Sequence, residues 1–150
     1  MNGKILSYAH AGLAIALAIF FMYAGSKKFM SSHRPVDIEK QIQLAEKVAN
    51  NQFESPITFT LTMKSMKSSG FLYVVGVLQL LAGLLLLFPK TRLIGSGVLL
   101  PVTLNIFLLH LFMDNRMSEN IETGAILMVN VLVLAFYWRT LRGLVGRMKV

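Results

Sequence analysis

Apolar residues fall along this chain in four long blocks, at about 5–29, 71–88, 93–113 and 121–138, with the polar residues concentrated between them. Each block is long enough to cross a bilayer as a helix, because about 20 residues rising roughly 1.5 Å apiece span the hydrocarbon core. The pattern predicts an all-α fold: a four-transmembrane-helix bundle forming a single integral membrane domain, with an amphipathic helical excursion between helices 1 and 2. Only Pro89, Lys90, Thr91 and Arg92 separate the second and third blocks, which forces an antiparallel hairpin, and Asp114 to Asn120 joins the third to the fourth. Lys4 ahead of an apolar run also suits a signal peptide, but the run continues through Ile19, Phe20, Phe21 and Met22 without a convincing cleavage site.

The excursion, about 31–69, is too long to lack structure of its own. Pro35 suits a first helical position, Asp37 and Glu39 favour a helix start, and Ile38, Ile42, Ala45, Val48 and Ala49 recur at helical spacing. A helix is therefore expected from about Val36 to Gln52, either capping the bundle, lying in the interface plane or covering a ligand entrance. Pro56 ends it. The alternation of Ile57 to Met63 has the period of a strand, but a lone strand in a helical membrane protein leaves its backbone groups unpaired, so a helical or irregular lid is expected.

Inside the third block, Pro101, Asn105 and His110 interrupt an otherwise apolar run. Polar side chains at membrane depth face a bundle interior or a cavity and pair there, so each is a candidate for function. Antiparallel spans bring Gln79, Asn105 and Asn130 to one layer near the midplane. These amides act either as helix glue, bonding one another or a backbone carbonyl, or as an orienting set for a polar head group. Pro101 cannot donate to the Gly97 carbonyl, which supports an opening at that depth. A second layer, His110, Asp114, Tyr23, Lys27, Lys28 and Glu122, lies towards the side that carries the acids. His110 and Asp114, four residues apart, can share a helix face, so the carboxylate can orient or charge the imidazole. This set serves either as an ion network anchoring helix ends or as a proton relay or anion-binding rim.

Composition agrees with a membrane class. Hydrophobic residues make up 55% of the 150, more than a soluble domain of this size hides. With no cysteine, disulfides, thiolate metal sites and dithiol chemistry are excluded, so a redox role needs a bound cofactor. Haem does not fit: His10 and His110 lie near opposite ends of parallel spans, roughly 20 Å apart in depth, and His33 is in the excursion, so no metal site is expected. His10 is expected to be structural.

The formal charge of +8 could suggest nucleic acid, but the basic residues flank apolar blocks, so anionic lipid head groups are the expected counter-charge and no nucleic-acid partner is expected. The side with the termini holds Lys4, Lys90, Arg92, Arg139, Arg142, Arg147 and Lys149 and no acid, whereas all seven acids lie opposite among eight bases. Long excursions count for less in the positive-inside rule, which favours cytoplasmic N- and C-termini. Small residues permit close helix approach: Gly12 with Ala16, Ala11, Ala18 and Gly25 on the first span, Gly76 and Gly83 on the second. They serve internal packing or a homodimer.

FMYAGSKKF at the end of the first span, SSGFLYVVGVLQLLAGLLLLFPKTRLIGSGVLL across the second and third, and PVTLNIFLLHLFMD closing the third resemble the DoxX-like family of small four-helix bacterial membrane proteins. The last span matches by hydropathy alone. Where Gln79 stands, many members carry an acid. The resemblance implies residence in the bacterial inner membrane, and for some relatives a place in quinone-linked sulfur oxidation or redox-stress assemblies, with no secure catalytic residue to transfer.

The expected function is that of a multi-pass inner-membrane protein binding a lipophilic small molecule such as a quinone, as membrane subunit or anchor of an oxidoreductase system with a membrane or peripheral redox partner. Lys27, Gln79, Asn105, His110 and Asn130 are the candidate cofactor-binding residues, with Tyr23, Asp114 and Glu122 as a rim. The alternative is a non-catalytic scaffold or small transporter whose polar residues serve packing or permeation.

Overall fold

The computed structural model describes residues 2–30, 38–50 and 57–147, and these are all-helical outside short turns. The helices are α1 (Asn2–Met30), α2 (Ile38–Ala49), α3 (Ile57–Ser68), α4 (Phe71–Leu87), α5 (Arg92–Leu109), α6 (Met117–Ala135) and α7 (Trp138–Arg147), with a wide π-helical turn over His110–Asp114. Three reach the length and apolar character needed to cross a bilayer: 4–30, 92–114 and 117–135. The 17 residues of α4 rise only about 26 Å, slightly less than the hydrocarbon core, and pass the same test when α3 is joined to them across an 82° bend. Such helices are compatible with a multi-pass membrane protein.

α1 packs along α4, α4 on α5, α5 on α6, and α6 back on α1, closing a ring. Its exterior is apolar, unlike that of a soluble bundle, and its interior includes polar side chains. Gln79, Ser96, Thr103, Thr123 and Asn130 are buried, while Ile19, Val77, Leu81, Leu84, Ile94, Leu104, Met128 and Leu132 face outwards. Water would penalise that perimeter; hydrocarbon would not. Between the polar positions, Ala14, Leu17, Ala18, Phe21, Ala82, Leu86, Leu99 and Val133 form one buried apolar cluster.

Glycines set the spacing. A Cβ on Gly25 would lie 3.0 Å from the Gly76 carbonyl oxygen, one on Gly83 3.1 Å from that of Ala18, and one on Gly95 2.9 Å from that of Ala82. Backbone therefore meets backbone along α1/α4 and α4/α5. Gly12, by contrast, meets nothing and faces outwards with Ala16.

The turn between α4 and α5 is closed by side chains. The Thr91 hydroxyl donates to Leu85 O (2.7 Å) and Arg92 Nε donates to Leu86 O (3.1 Å). These bonds satisfy two of the carbonyls that the end of α4 leaves orphaned, and the guanidinium adds positive charge where the helix dipole favours it.

The excursion differs from the sequence expectation mainly in its second half. α2 lies within the expected 36–52 helix, whose outermost residues fall outside the described ones. The strand-like alternation of 57–63 is a helix, because a helix bonds its own backbone where no partner strand exists. Phe59, Met63 and Met66 then fall on one half-buried face. Gly70, at φ 78°, makes the corner into α4 in the left-handed region that disfavours side chains. The expected link from Asp114 to Asn120 shrinks to Asn115 and Arg116, since α6 starts at Met117. Its end is nearer too, and Trp138 opens the separate basic helix α7, in which Arg142 lies 5.5 Å over the Trp138 ring.

Candidate functional site

The inward-facing residues of α1 repeat at helical spacing through Ala14, Leu17, Ala18, Phe21 and Gly25. Lys28 continues that stripe, seven residues beyond Phe21. It therefore turns between the helices, while Lys27 stays exposed with its ammonium 4.5 Å over the Tyr23 ring. On α4 the buried stripe runs Gly76, Gln79, Ala82, Gly83 and Leu86. On α5 it runs Arg92, Gly95, Ser96, Leu99, Val102 and Thr103. Asn105 lies about 200° round the helix from Thr103 and is exposed.

The two remaining amides have opposite surroundings. With its nitrogen towards Ser96 and its oxygen towards Leu100, Asn130 is fully bonded: it donates to Ser96 Oγ (2.7 Å) and Ser96 O (3.3 Å), and accepts from Leu100 N (3.1 Å) and Thr103 Oγ1 (3.2 Å). Gln79 is equally buried, yet its Oε1 has no partner among the described residues. Asn105, Gln79 and Asn130 thus differ in their surroundings: the first is exposed, the second unmet at its oxygen and the third bonded to α5. Ser96 and Thr103 are the residues that sequence reasoning missed around Asn130, and their four- and seven-residue spacing from Arg92 and Ser96 along the stripe was the available signal.

Gln79 borders a cavity of about 190 Å³ at the ring end where α1 finishes and α6 begins. Its polar lining is Lys28, Gln79, Thr103, His110, Glu119 and Glu122, joined by Thr123, and its apolar lining comes from Phe20, Phe21, Ala24, Ile106 and Ile126. The two depths expected from the sequence meet here, in Gln79 below and His110 with Glu122 above. Glu119, not singled out from the sequence, is half-buried at the rim.

His110 is held from below and above. Its Nδ1 lies 3.0 Å from Asp114 Oδ2, and its ring lies 4.9 Å from that of Phe59 on α3. An ionised carboxylate accepts only, so a neutral imidazole carries its proton on Nδ1 and Nε2 is the nitrogen left for a ligand. Asp114 is buried and takes a two-pronged bond from Arg116, Nε to Oδ1 and Nη2 to Oδ2, both 2.8 Å. His110, Asp114 and Glu119 bring ligand atoms within 4.8 Å of one another, but the Arg116 guanidinium, 3.6 Å from Glu119 Oε1, already supplies the positive charge there. Left-handed Asn115, whose N–H donates to His110 O (2.7 Å), closes the π-turn.

α3 roofs this end. Thr58 Oγ1 donates to Met113 O (3.0 Å), and beneath the helix lies a second cavity of about 180 Å³ that shares Lys28, Ile106 and His110 with the first. A third, about 210 Å³, shares Met66, Val75, Ile106 and Leu109 with the second and reaches Pro101 and Asn105 on the outer face. Asn105 therefore stands at the outer end of a series of cavities and Gln79 at the inner end. Tyr23 is exposed and lines none of these three.

At the opposite end, His10 packs 4.6 Å from the Phe136 ring and 5.2 Å from that of Tyr137, ring centre to ring centre. Its Nε2 has no partner among the described residues. Compared with known proteins, the chain matches no family model, no curated protein and no solved structure.

Proposed function

We propose that this is a four-span, DoxX-like protein of the bacterial inner membrane, its termini in the cytoplasm, that binds a lipophilic molecule with a polar head as the membrane subunit of an oxidoreductase system. The observation that carries the reading is the unpartnered Gln79 Oε1 on the wall of a polar cavity that adjoins, across shared lining residues, further cavities reaching the apolar outer face. A buried acceptor without a donor costs about 1–3 kcal/mol, and a ligand hydroxyl would recover it. Taken together the three cavities fall in the range of about 300–1,000 Å³ typical of small-molecule sites, whereas each alone falls below it.

A quinone fits this donor and acceptor set. Its carbonyl oxygens need donors, which Lys28 supplies, and which His110 supplies when protonated; the hydroxyls of the reduced form need acceptors, which Gln79 Oε1 and neutral His110 Nε2 supply. When bound, the quinone supplies a two-electron, two-proton couple. The chain's own part is to hold the head between α1, α5 and α6 and to fix the His110 tautomer through Asp114. A blind inner end is supported by Phe21, Leu86 and Leu99, all fully buried, which favours binding over permeation. The scaffold alternative draws on Asn130, whose bonds are all made within the chain.

Gently purified protein is expected to retain a quinone or related lipophile on extraction, and added decylubiquinone to raise its melting temperature by several degrees. His110→Ala should diminish that rise. If no lipophile is retained and quinones leave the melting temperature unchanged, the proposal fails.

A further inference from the structure

Ile106 lines all three cavities at this end of the ring, and polarity falls from the innermost outwards. The lining of the first is mostly polar. Among the described residues the polar lining of the second is Lys28 and His110, and that of the third is Asn105. A pocket entered from water is wet and polar at its mouth, whereas here the mouth is apolar. That mouth also stands at hydrocarbon depth: Pro101 and Asn105 lie roughly 14 and 20 Å along the 92–114 span from Arg92, and Leu78, across the same mouth, is exposed on the apolar perimeter. The order matches an amphiphile lying with its head inwards and its tail towards the acyl chains of the bilayer.

Three half-buried side chains mark the passage between the outer two cavities. Met66 of α3, Val75 of α4 and Leu109 of α5 each line both of them and not the first. Two features hold the three helices together there: the left-handed Gly70 corner turns α3 through 82° from α4, and the Thr58 bond to Met113 O ties the other end of α3 to the π-turn that follows α5. We infer that the tail of the bound lipophile leaves the ring sideways between α4 and α5, beneath α3, and that Met66, Val75 and Leu109 form a neck selecting a single-tailed ligand over a diacyl lipid. This rests on the proposed quinone site for the head group and adds the route of the tail and the residues that read it.

The test photolabels the full chain in detergent with a benzoquinone whose decyl tail ends in a diazirine, and locates the label by peptide mass spectrometry. Labelling that excess decylubiquinone suppresses is expected within 71–78 and 101–109, and excess phosphatidylglycerol should not suppress it. Leu109→Trp narrows the neck without touching the head cavity, so it should weaken decylubiquinone binding about tenfold and preserve the melting-temperature rise with the tail-less dimethoxy-methylbenzoquinone head. Val75→Trp should do the same from another helix, which keeps the test open if one variant does not fold. Leu84→Trp, exposed on the perimeter, should change neither response. Suppressible labelling confined to α1 or α6, suppression by phosphatidylglycerol, undiminished decylubiquinone binding in both neck variants, or equal loss of the tailed and tail-less quinones would each overturn the tail route while the head-group reading stands. If neither quinone binds the unaltered protein, the head-group reading fails and takes the tail route with it.

Discussion

At the ring end that holds the turn between α4 and α5, polar side chains are spent on the fold: Thr91 and Arg92 bond the last carbonyls of α4, and His10 is stacked among aromatic rings. At the other end Lys28, His110, Glu119 and Glu122 surround open volume, and the Gln79 oxygen beneath them is unmet. Both ends bury polar or charged groups between the helices. The difference lies in what faces them: backbone carbonyls take up the bonding capacity of Thr91 and Arg92 and rings enclose His10, whose Nε2 stays unmet among the described residues, whereas a cavity leaves a polar group open to a ligand. A contrast of that kind supports the proposed site without any catalytic motif.

The comparison breaks most severely at Gly95, on the closed end. A side chain there would meet Ala82 O at 2.9 Å and Leu86 N at 3.0 Å, and backbone cannot move aside as a flexible side chain can. Gly95→Leu should cost about 3 kcal/mol or more and remove most folded protein, read as loss of the monodisperse peak on size exclusion. Gly12→Leu, with open space around its Cβ, should leave that peak intact. Equal tolerance at the two positions would show that α4 and α5 do not approach as described.

Asn130 ranks next. Asn130→Leu removes the amide's bonds to Ser96, Leu100 and Thr103 and leaves the two hydroxyls only their backbone carbonyl partners, at an expected cost of about 2 kcal/mol and a visibly lower melting temperature. Asp114→Asn should cost less, about 1–2 kcal/mol, because Arg116 is 55% exposed and regains water once the ion pair is lost. Its larger expected consequence is functional. Without the carboxylate the His110 tautomer is no longer fixed, so the melting-temperature rise with decylubiquinone should shrink although the fold persists.

How much of this contrast can be read from the chain differs by region. The helical blocks and the Pro89 to Arg92 hairpin follow from apolar length and turn residues, which depend on local sequence alone. Grouping residues by depth places Gln79 and Asn130 in the interior, but depth does not give azimuth. Asn105 shares their level and still points outwards, because the buried stripe of α5 passes through Thr103 and Ile106 on either side of it. The same angular count selects Lys28 over Lys27 for the interior, and it is available in the seven-residue spacing from Phe21. α3 was less legible, since the Ile57 to Met63 alternation fits a strand and its roofing position depends on the left-handed Gly70 corner, a tertiary fact.

The smallest expected stability change carries the sharpest distinction. Asn130 and Gln79 are both buried amides, at 0% and 1% exposure, and an account based on burial alone predicts the same penalty for replacing either by leucine. Bonding predicts otherwise. Gln79→Leu removes an oxygen that bonds nothing among the described residues, so the folding stability should stay within about 0.5 kcal/mol of the unaltered protein's or rise, while the decylubiquinone response falls. Should Gln79→Leu destabilise as much as Asn130→Leu, the Gln79 oxygen has a partner in the folded protein and the open end is structural like the closed one. Should stability hold and the ligand response also hold, the cavity is real but Gln79 does not read its occupant, and His110 with Lys28 must do so alone.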